Sequence, residues 1–210
     1  MVADPHPAMI YDFGGFPDEL YRISYPAPGD PDLAKEIADL IAVAGFPVQI
    51  AKARGFDHGT WVPLSLMFPA ANVPIVQLSI QPTENSSYHL GLGRALESLR
   101  RRDVLMIGTG AMTHNLQEIM RGGMKPVDAP AEDWATAFSD WIADRAAAGS
   151  IEQLVGYESL APGATMAHPA DDHFLPFFFA LGAAGEGAAG ARIHKSIEYG
   201  ALSMDAYRFG

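Results

Sequence analysis

Asp103-Val104-Leu105-Met106-Ile107-Gly108-Thr109-Gly110 is an apolar, strand-forming run that opens into a glycine loop, and Thr113-His114-Asn115 follows just beyond it. In α/β sheets ligands bind at the carboxyl ends of strands, so this loop is a candidate site edge. Working outward, residues 73–80 read as a buried strand bounded by Pro74 and Pro82, 48–51 as a short strand, and the tail 199–209 as a final one. A helix is predicted over 30–44, with Asp30 as cap, Pro31 in the first turn and Leu33, Ile37, Leu40 and Ile41 on one face; Gly45 ends it. Further helices are expected over 89–99, 131–148 with Trp134, Phe138 and Trp141 on one side, and 151–157. A last helix, starting near His173 behind Asp171 or Asp172 and reaching Leu181, is apolar all round and therefore buried. Strands alternating with helices imply an α/β domain, and no repeat or long linker divides residues 1–210, so a single domain is expected.

Composition narrows the function. Of 210 residues, 49% are hydrophobic and 19% charged, enough apolar material for a substantial core. A net charge of -11 with only 14 Lys and Arg argues against nucleic acid as a partner. The basic run Arg100-Arg101-Arg102 fits the C-terminal end of a helix. There is no cysteine, so a bound metal must take nitrogen and oxygen ligands. No apolar run approaches a membrane span and no secretory leader is evident at Met1, so a soluble cytoplasmic protein is the expectation.

Histidines in turns and glycine loops carry the chemical signal. His58, in Asp57-His58-Gly59, is either a general acid or base oriented by its neighbours or a solvated turn residue. His114 could be a metal ligand, a proton donor or a core histidine. His173, at the start of an apolar helix, is the stronger ligand candidate, because an imidazole there needs a partner. His168 and His173 are five apart, which does not match the helical zinc-peptidase spacing. His89 and His194 read as surface residues; His6 either lines a pocket with Tyr11 and Asp12 or is incidental. Gly108-Thr109-Gly110 lacks the third glycine or the lysine of a nucleotide loop, so its glycines serve close backbone approach. Neither a cysteine nor a Gly-x-Ser-x-Gly elbow supports a nucleophilic hydrolase. Residues 1–29, with Pro5, Pro7, Pro17, Pro26 and Pro28, form an ordered irregular segment whose aromatics, Tyr11, Phe13, Phe16 and Tyr21, hold it against an apolar surface.

Taken in order, Ile10-Tyr11-Asp12-Phe13-Gly14-Gly15-Phe16-Pro17, Tyr25-Pro26-Ala27-Pro28-Gly29, Gly55-Phe56-Asp57-His58-Gly59-Thr60-Trp61, residues 108–116, residues 168–176 and Leu202-Ser203-Met204 resemble the 4,5-DOPA extradiol dioxygenase family, the LigB-like class III extradiol ring-cleaving enzymes. The resemblance implies one α/β domain with a central, mostly parallel sheet flanked by helices. It implies insertion of both atoms of O₂ into a catechol such as L-DOPA, by 4,5-cleavage, to give a semialdehyde. The implied cofactor is Fe(II), with zinc as an ion that can occupy the site in a purified sample. His173 would be a metal ligand, His114 a ligand or the acid/base at the metal, and His58 an acid/base residue facing the substrate or standing just outside the ligands. Tyr11, Phe13 and Trp61 are the apolar candidates for substrate contact.

Two further metal-binding histidines of that family lie in motifs that would precede Met1 and are not found in this sequence. Three explanations stand: a longer natural protein, a shortened relative recruiting His6, Asp12 or Asp57, or a chain that has lost catalysis. The alternatives to a dioxygenase are a non-catalytic or weakly metal-binding homologue that binds a ligand or oligomerises, and a metal-dependent hydrolase using the same histidines. Aromatic N-terminal residues and an exposed sheet edge point to self-association as a homodimer.

Overall fold

Asp30 starts the first helix as its sequence requires: its Oδ1 accepts the Leu33 N–H at 2.9 Å, Pro31 occupies the first turn, and Ala34, Ile37, Ala38 and Ile41 are buried. This helix, α1 (Pro31–Val43), belongs to the first of two compact units, Met1–Ser79 and Ile80–Gly210. The computed structural model describes residues 1–121 and 123–210.

In the first unit α1 is followed by α2 (His58–Met67), so the expected turn at Asp57-His58-Gly59 is instead a helix N-terminus. Its apolar residues and an internal Pro63 conceal the helical period in the sequence. Val2, Tyr25, Ala27, Phe56, Trp61 and Leu64 form the core of this unit, with Met9, Phe13 and Ile75 packed against it. Parallel pairing occurs as isolated bridges, Val2 with Ala51, Met9 with Phe56 and Gly29 with Ile75.

The second unit contains α3 (Ser86–Ala95), α4 (Leu116–Met120), α5 (Asp133–Ala147), α6 (Ile151–Val155), α7 (Tyr157–Leu160), α8 (Ala164–Ala167) and α9 (Leu175–Ala183). Its strands are β1 (Gly190–His194), β2 (Ile197–Glu198), β3 (Leu202–Ser203) and β4 (Ala206–Phe209). Helices α3 and α9 cross at two glycines: a Cβ on Gly93 would stand 2.1 Å from the Phe179 carbonyl oxygen, and one on Gly182 would stand 2.0 Å from that of Leu90. The core joins Phe138, Ile142, Leu154, Tyr157, Phe174, Phe178 and Leu181.

Strand pairing differs from the expected central parallel sheet. Among the described residues the ladders are two antiparallel pairs, β1 with β4 (Gly190 opposite Phe209, a bulge between Arg192 and His194) and β2 with β3 (Ile197 opposite Ser203). The run 104–107 has no assigned ladder partner there, and Leu105 and Ile107 are 66% and 37% exposed.

Two further expectations are corrected. His89 is buried, not a surface residue: its Nδ1–H donates to the Asn85 carbonyl at 2.9 Å and its Nε2 accepts the Gln81 N–H at 3.1 Å, so both ring nitrogens are satisfied. At α9 no side chain caps the helix; the Asp171 carbonyl accepts the Phe174 and Leu175 N–H groups at 2.7 and 3.0 Å. Arg100 to Arg102 do close a helix, the 3₁₀ turn Glu97–Arg102. Among the described residues no helix is long and apolar enough to cross a membrane.

Candidate active site

In the second unit the glycine loop leads into a segment tied down on two sides. Toward the 167–173 segment, Ala111 N–H donates to the His173 carbonyl at 2.9 Å and His114 N–H to the Ala167 carbonyl at 2.9 Å. Toward β3, Met112 N–H donates to the Ser203 carbonyl at 3.2 Å, while the Thr113 hydroxyl donates to the Ala201 carbonyl at 2.8 Å and accepts the Ser203 N–H at 2.6 Å. Asn115 finishes the anchoring: its amide donates to the Met166 carbonyl at 2.7 Å and its Oδ1 accepts the Glu118 N–H at the start of α4 at 3.2 Å. The expected close approach of the glycines is seen: a Cβ on Gly108 would lie 2.1 Å from the Pro176 carbonyl oxygen and one on Gly110 would lie 2.0 Å from that of His173.

The result is a pair of half-buried imidazoles, His114 and His173, stacked with ring centroids 3.6 Å apart and planes 11° from parallel. Burial holds the His114 imidazole below the ordinary histidine range, His173 adds to this, and Asp172 opposes it. His114 is therefore neutral near pH 7 and able to take a proton. His173 Nδ1 is buried and lies 3.0 Å from Asp172 Oδ2, yet makes no hydrogen bond among the described residues.

Behind the pair, His168 is buried with its Nε2–H donating to the Met112 carbonyl at 2.8 Å. Its ring stacks on Phe174 at 4.9 Å and meets Phe138 edge-on at 5.5 Å. Burial lowers its pKa to about 4, so it stands as a neutral strut for the segment that carries His114.

An imidazole binds a metal in its own ring plane, through a nitrogen lone pair. One ring of this stack would hold a metal through a ring nitrogen while the other is left to take a proton. Among the described residues no group of three or more His, Asp or Glu side chains is arranged to hold a metal. The residues present do not fit a complete mononuclear metal site; at the stack they offer the buried His173 Nδ1, which makes no hydrogen bond and has the Asp172 carboxylate 3.0 Å away.

The first unit carries His58 at the first position of α2. The carboxylate that serves it is Asp12, 46 positions away, and not its neighbour Asp57. Asp12 Oδ1 accepts the His58 backbone N–H at 3.1 Å and lies 2.8 Å from His58 Nδ1. Burial raises the Asp12 carboxyl, but the His58 hydrogen bonds outweigh it and the net shift is downward. Asp57 is held elsewhere, by Arg54 Nη2 at 3.0 Å and by the side-chain amide of Gln77. The Asp12–His58 pair gives no signal in sequence periodicity; only the fold brings it together.

Phe13 meets His58 edge-on at 5.9 Å and Trp61 at 6.0 Å, and Tyr11 lies 5.7 Å from Trp61. Trp61 is almost wholly buried and donates its indole N–H to the Ile10 carbonyl at 3.1 Å, so it backs the aromatic group while Tyr11 and Phe13 keep exposed surface. His6 is exposed and stands outside this group, its backbone N–H bonded to Asp4 Oδ1 at 2.8 Å.

Comparison with known proteins agrees along the whole chain. The family model described as the catalytic LigB subunit of aromatic ring-opening dioxygenase matches residues 1–210. A 4,5-DOPA dioxygenase extradiol of Beta vulgaris is 44% identical over 201 residues, covering 95% of this chain and 73% of the relative. The protein of that name from Escherichia coli K12 is 39% identical over 209 residues, covering 97% and 74%. The crystal structure of an uncharacterized Escherichia coli K12 protein superposes with a TM-score of 0.81 at 32% identity, covering 100% of this chain and 79% of that one.

Proposed function

The chain belongs to the family of the catalytic LigB subunit of aromatic ring-opening dioxygenase, and from that premise we propose that it is an extradiol dioxygenase that inserts both atoms of O₂ into L-DOPA or a similar catechol. The ring opens beside its hydroxyls and the product is a semialdehyde. The observation that carries the reading is the His114–His173 stack, which sets a neutral imidazole against one whose buried nitrogen has no hydrogen bond.

LigB-family dioxygenases are metal-dependent, and we assign Fe(II) as the native ion, with zinc as a substitute in purified protein. His173 is the ligand proposed from this chain and His114 the residue that takes and returns a catechol proton; the stack favours that role for His114 over a second ligand position. His58 is assigned as a further acid/base residue, with Tyr11 and Phe13 as substrate contacts and Trp61 behind them. The unbroken family match over 1–210 supports reading both units as one catalytic domain, and the structural relative supports the LigB fold. Exposed Leu105 and Ile107 support self-association as a homodimer, which sedimentation velocity would detect.

The test is oxygen uptake by protein loaded anaerobically with Fe(II) and given L-DOPA. Uptake coupled to a yellow semialdehyde supports the assignment. Catechol binding without uptake would favour the non-catalytic, ligand-binding reading, and hydrolysis without uptake would favour a metal-dependent hydrolase.

A further inference from the structure

Asp12 lies between Tyr11 and Phe13 on a loop tied to α2 and to Phe56 just before it. Ile10 N–H donates to the Phe56 carbonyl at 2.8 Å, the Ile10 carbonyl accepts the Trp61 indole N–H at 3.1 Å, and Asp12 Oδ1 receives His58 through its backbone N–H at 3.1 Å. One carboxylate oxygen therefore meets both the main chain and the ring of the same histidine, since His58 Nδ1 stands 2.8 Å from it. An ionised carboxylate only accepts hydrogen bonds, so His58 Nδ1 carries the proton directed at Asp12, and in the neutral imidazole Nε2 is then the bare nitrogen. The other nearby carboxylate, Asp57, is engaged by Arg54 and Gln77.

We propose that Asp12 is the positioning residue of His58, holding it in the Nδ1–H tautomer with Nε2 presented as the proton acceptor for an aromatic hydroxyl. The proposal rests on the reading of His58 as an acid/base residue and adds the group that sets its tautomer and ring orientation. The same loop supplies Tyr11 and Phe13, so the aromatic contacts and the orienting carboxylate move as one piece, while the Trp61–Ile10 bond holds the aromatics independently of Asp12. Loss of the carboxylate should consequently reach kcat and leave KM little changed.

The experiment combines ¹⁵N-imidazole NMR of His58 with steady-state oxygen uptake on L-DOPA, for the unsubstituted protein, Asp12→Ala and Asp12→Asn. The Trp61 indole resonance reports whether the loop stays folded. The expected result is a neutral His58 protonated at Nδ1 in the unsubstituted protein and shifted toward Nε2–H in Asp12→Ala. With it, kcat falls about 100-fold, the lower range of a general acid–base contribution, at nearly constant KM. Asp12→Asn, whose amide oxygen still accepts from Nδ1–H, should recover much of the tautomer and part of the rate. A His58 tautomer that is already Nε2–H, or that does not respond to Asp12→Ala, overturns the proposal. Absence of turnover in the unsubstituted protein with the Nδ1–H tautomer intact would instead sink the catalytic reading and leave the Asp12–His58 geometry standing.

Discussion

The imidazoles of His114 and His173 stack face to face, 3.6 Å between centroids and 11° between planes. Face-to-face rings at that separation support the proposed division of roles, with His173 as the residue that would hold a metal and His114 as the proton carrier. His173→Ala should abolish whatever Fe(II) or Zn(II) binding the unsubstituted protein shows. His114→Ala should keep the metal and lower kcat by about 100-fold or more. Metal content by atomic absorption alongside oxygen uptake separates the two, and equal metal loss in both variants would show that both residues ligate.

His168 makes stability depend on acid. In the fold, burial takes its imidazole from 6.5 to about 4, with the Met112 carbonyl opposing the shift. Between those values the unfolded chain binds a proton that the native chain refuses. The stabilisation is complete above pH 6.5 and is lost as pH falls to about 4, by roughly 3 kcal/mol in all. Urea unfolding at a series of pH values should show this slope. In His168→Gln, whose amide N–H can still reach Met112, the slope over that window should flatten.

How far the sequence discloses this molecule depends on the range of each interaction. The start of α1 is legible because Asp30, Pro31 and the apolar face lie within a few residues of one another. Helix α9 is legible in outline because its apolar residues have nowhere to go but a core. Helix α2 is hidden, since its apolar residues are not confined to one face and a proline sits inside it. His89 misleads because polar residues precede it in sequence while backbone groups satisfy its ring in the fold. The histidines of the site are recognisable as candidates, but their partners are not. Asp12 and His58 are 46 residues apart, and the more obvious neighbour, Asp57, is occupied by Gln77.

Asp205 gives a stability prediction away from the chemistry. Its carboxylate is fully buried, and Oδ2 accepts from the Ser139 hydroxyl at 2.6 Å and from Arg192 Nη1 at 3.1 Å. Removing the guanidinium with Arg192→Leu leaves a buried charge with only the Ser139 hydroxyl at 2.6 Å and the Tyr207 hydroxyl at 3.5 Å, at an expected cost of about 3–5 kcal/mol. The double variant Arg192→Leu/Asp205→Leu removes the stranded charge and should recover most of that loss. Urea midpoints at constant m-value measure both. A double variant no more stable than the single one would show that the ion pair contributes more than its own desolvation costs.

Gly110 links the glycine loop to the position of His173. A methyl at Gly110 would lie 2.0 Å from the His173 carbonyl oxygen, which also accepts the Ala111 N–H at 2.9 Å. Both are backbone groups, so neither a rotamer change nor a flexible side chain can relieve the contact. The loop must withdraw or His173 must move. Gly110→Ala should therefore cost about 1–3 kcal/mol and break the Ala111 bond. Because the displaced carbonyl belongs to the stacked histidine, metal binding and kcat should fall further than the stability loss alone explains. Gly14→Ala, with no atom within 4 Å of the added carbon, is the steric control for an alanine in a loop. If Gly110→Ala unfolds more easily in urea but, while folded, binds metal and turns over as the unsubstituted protein does, the glycine serves packing alone and the His114–His173 stack tolerates a shift of its backbone.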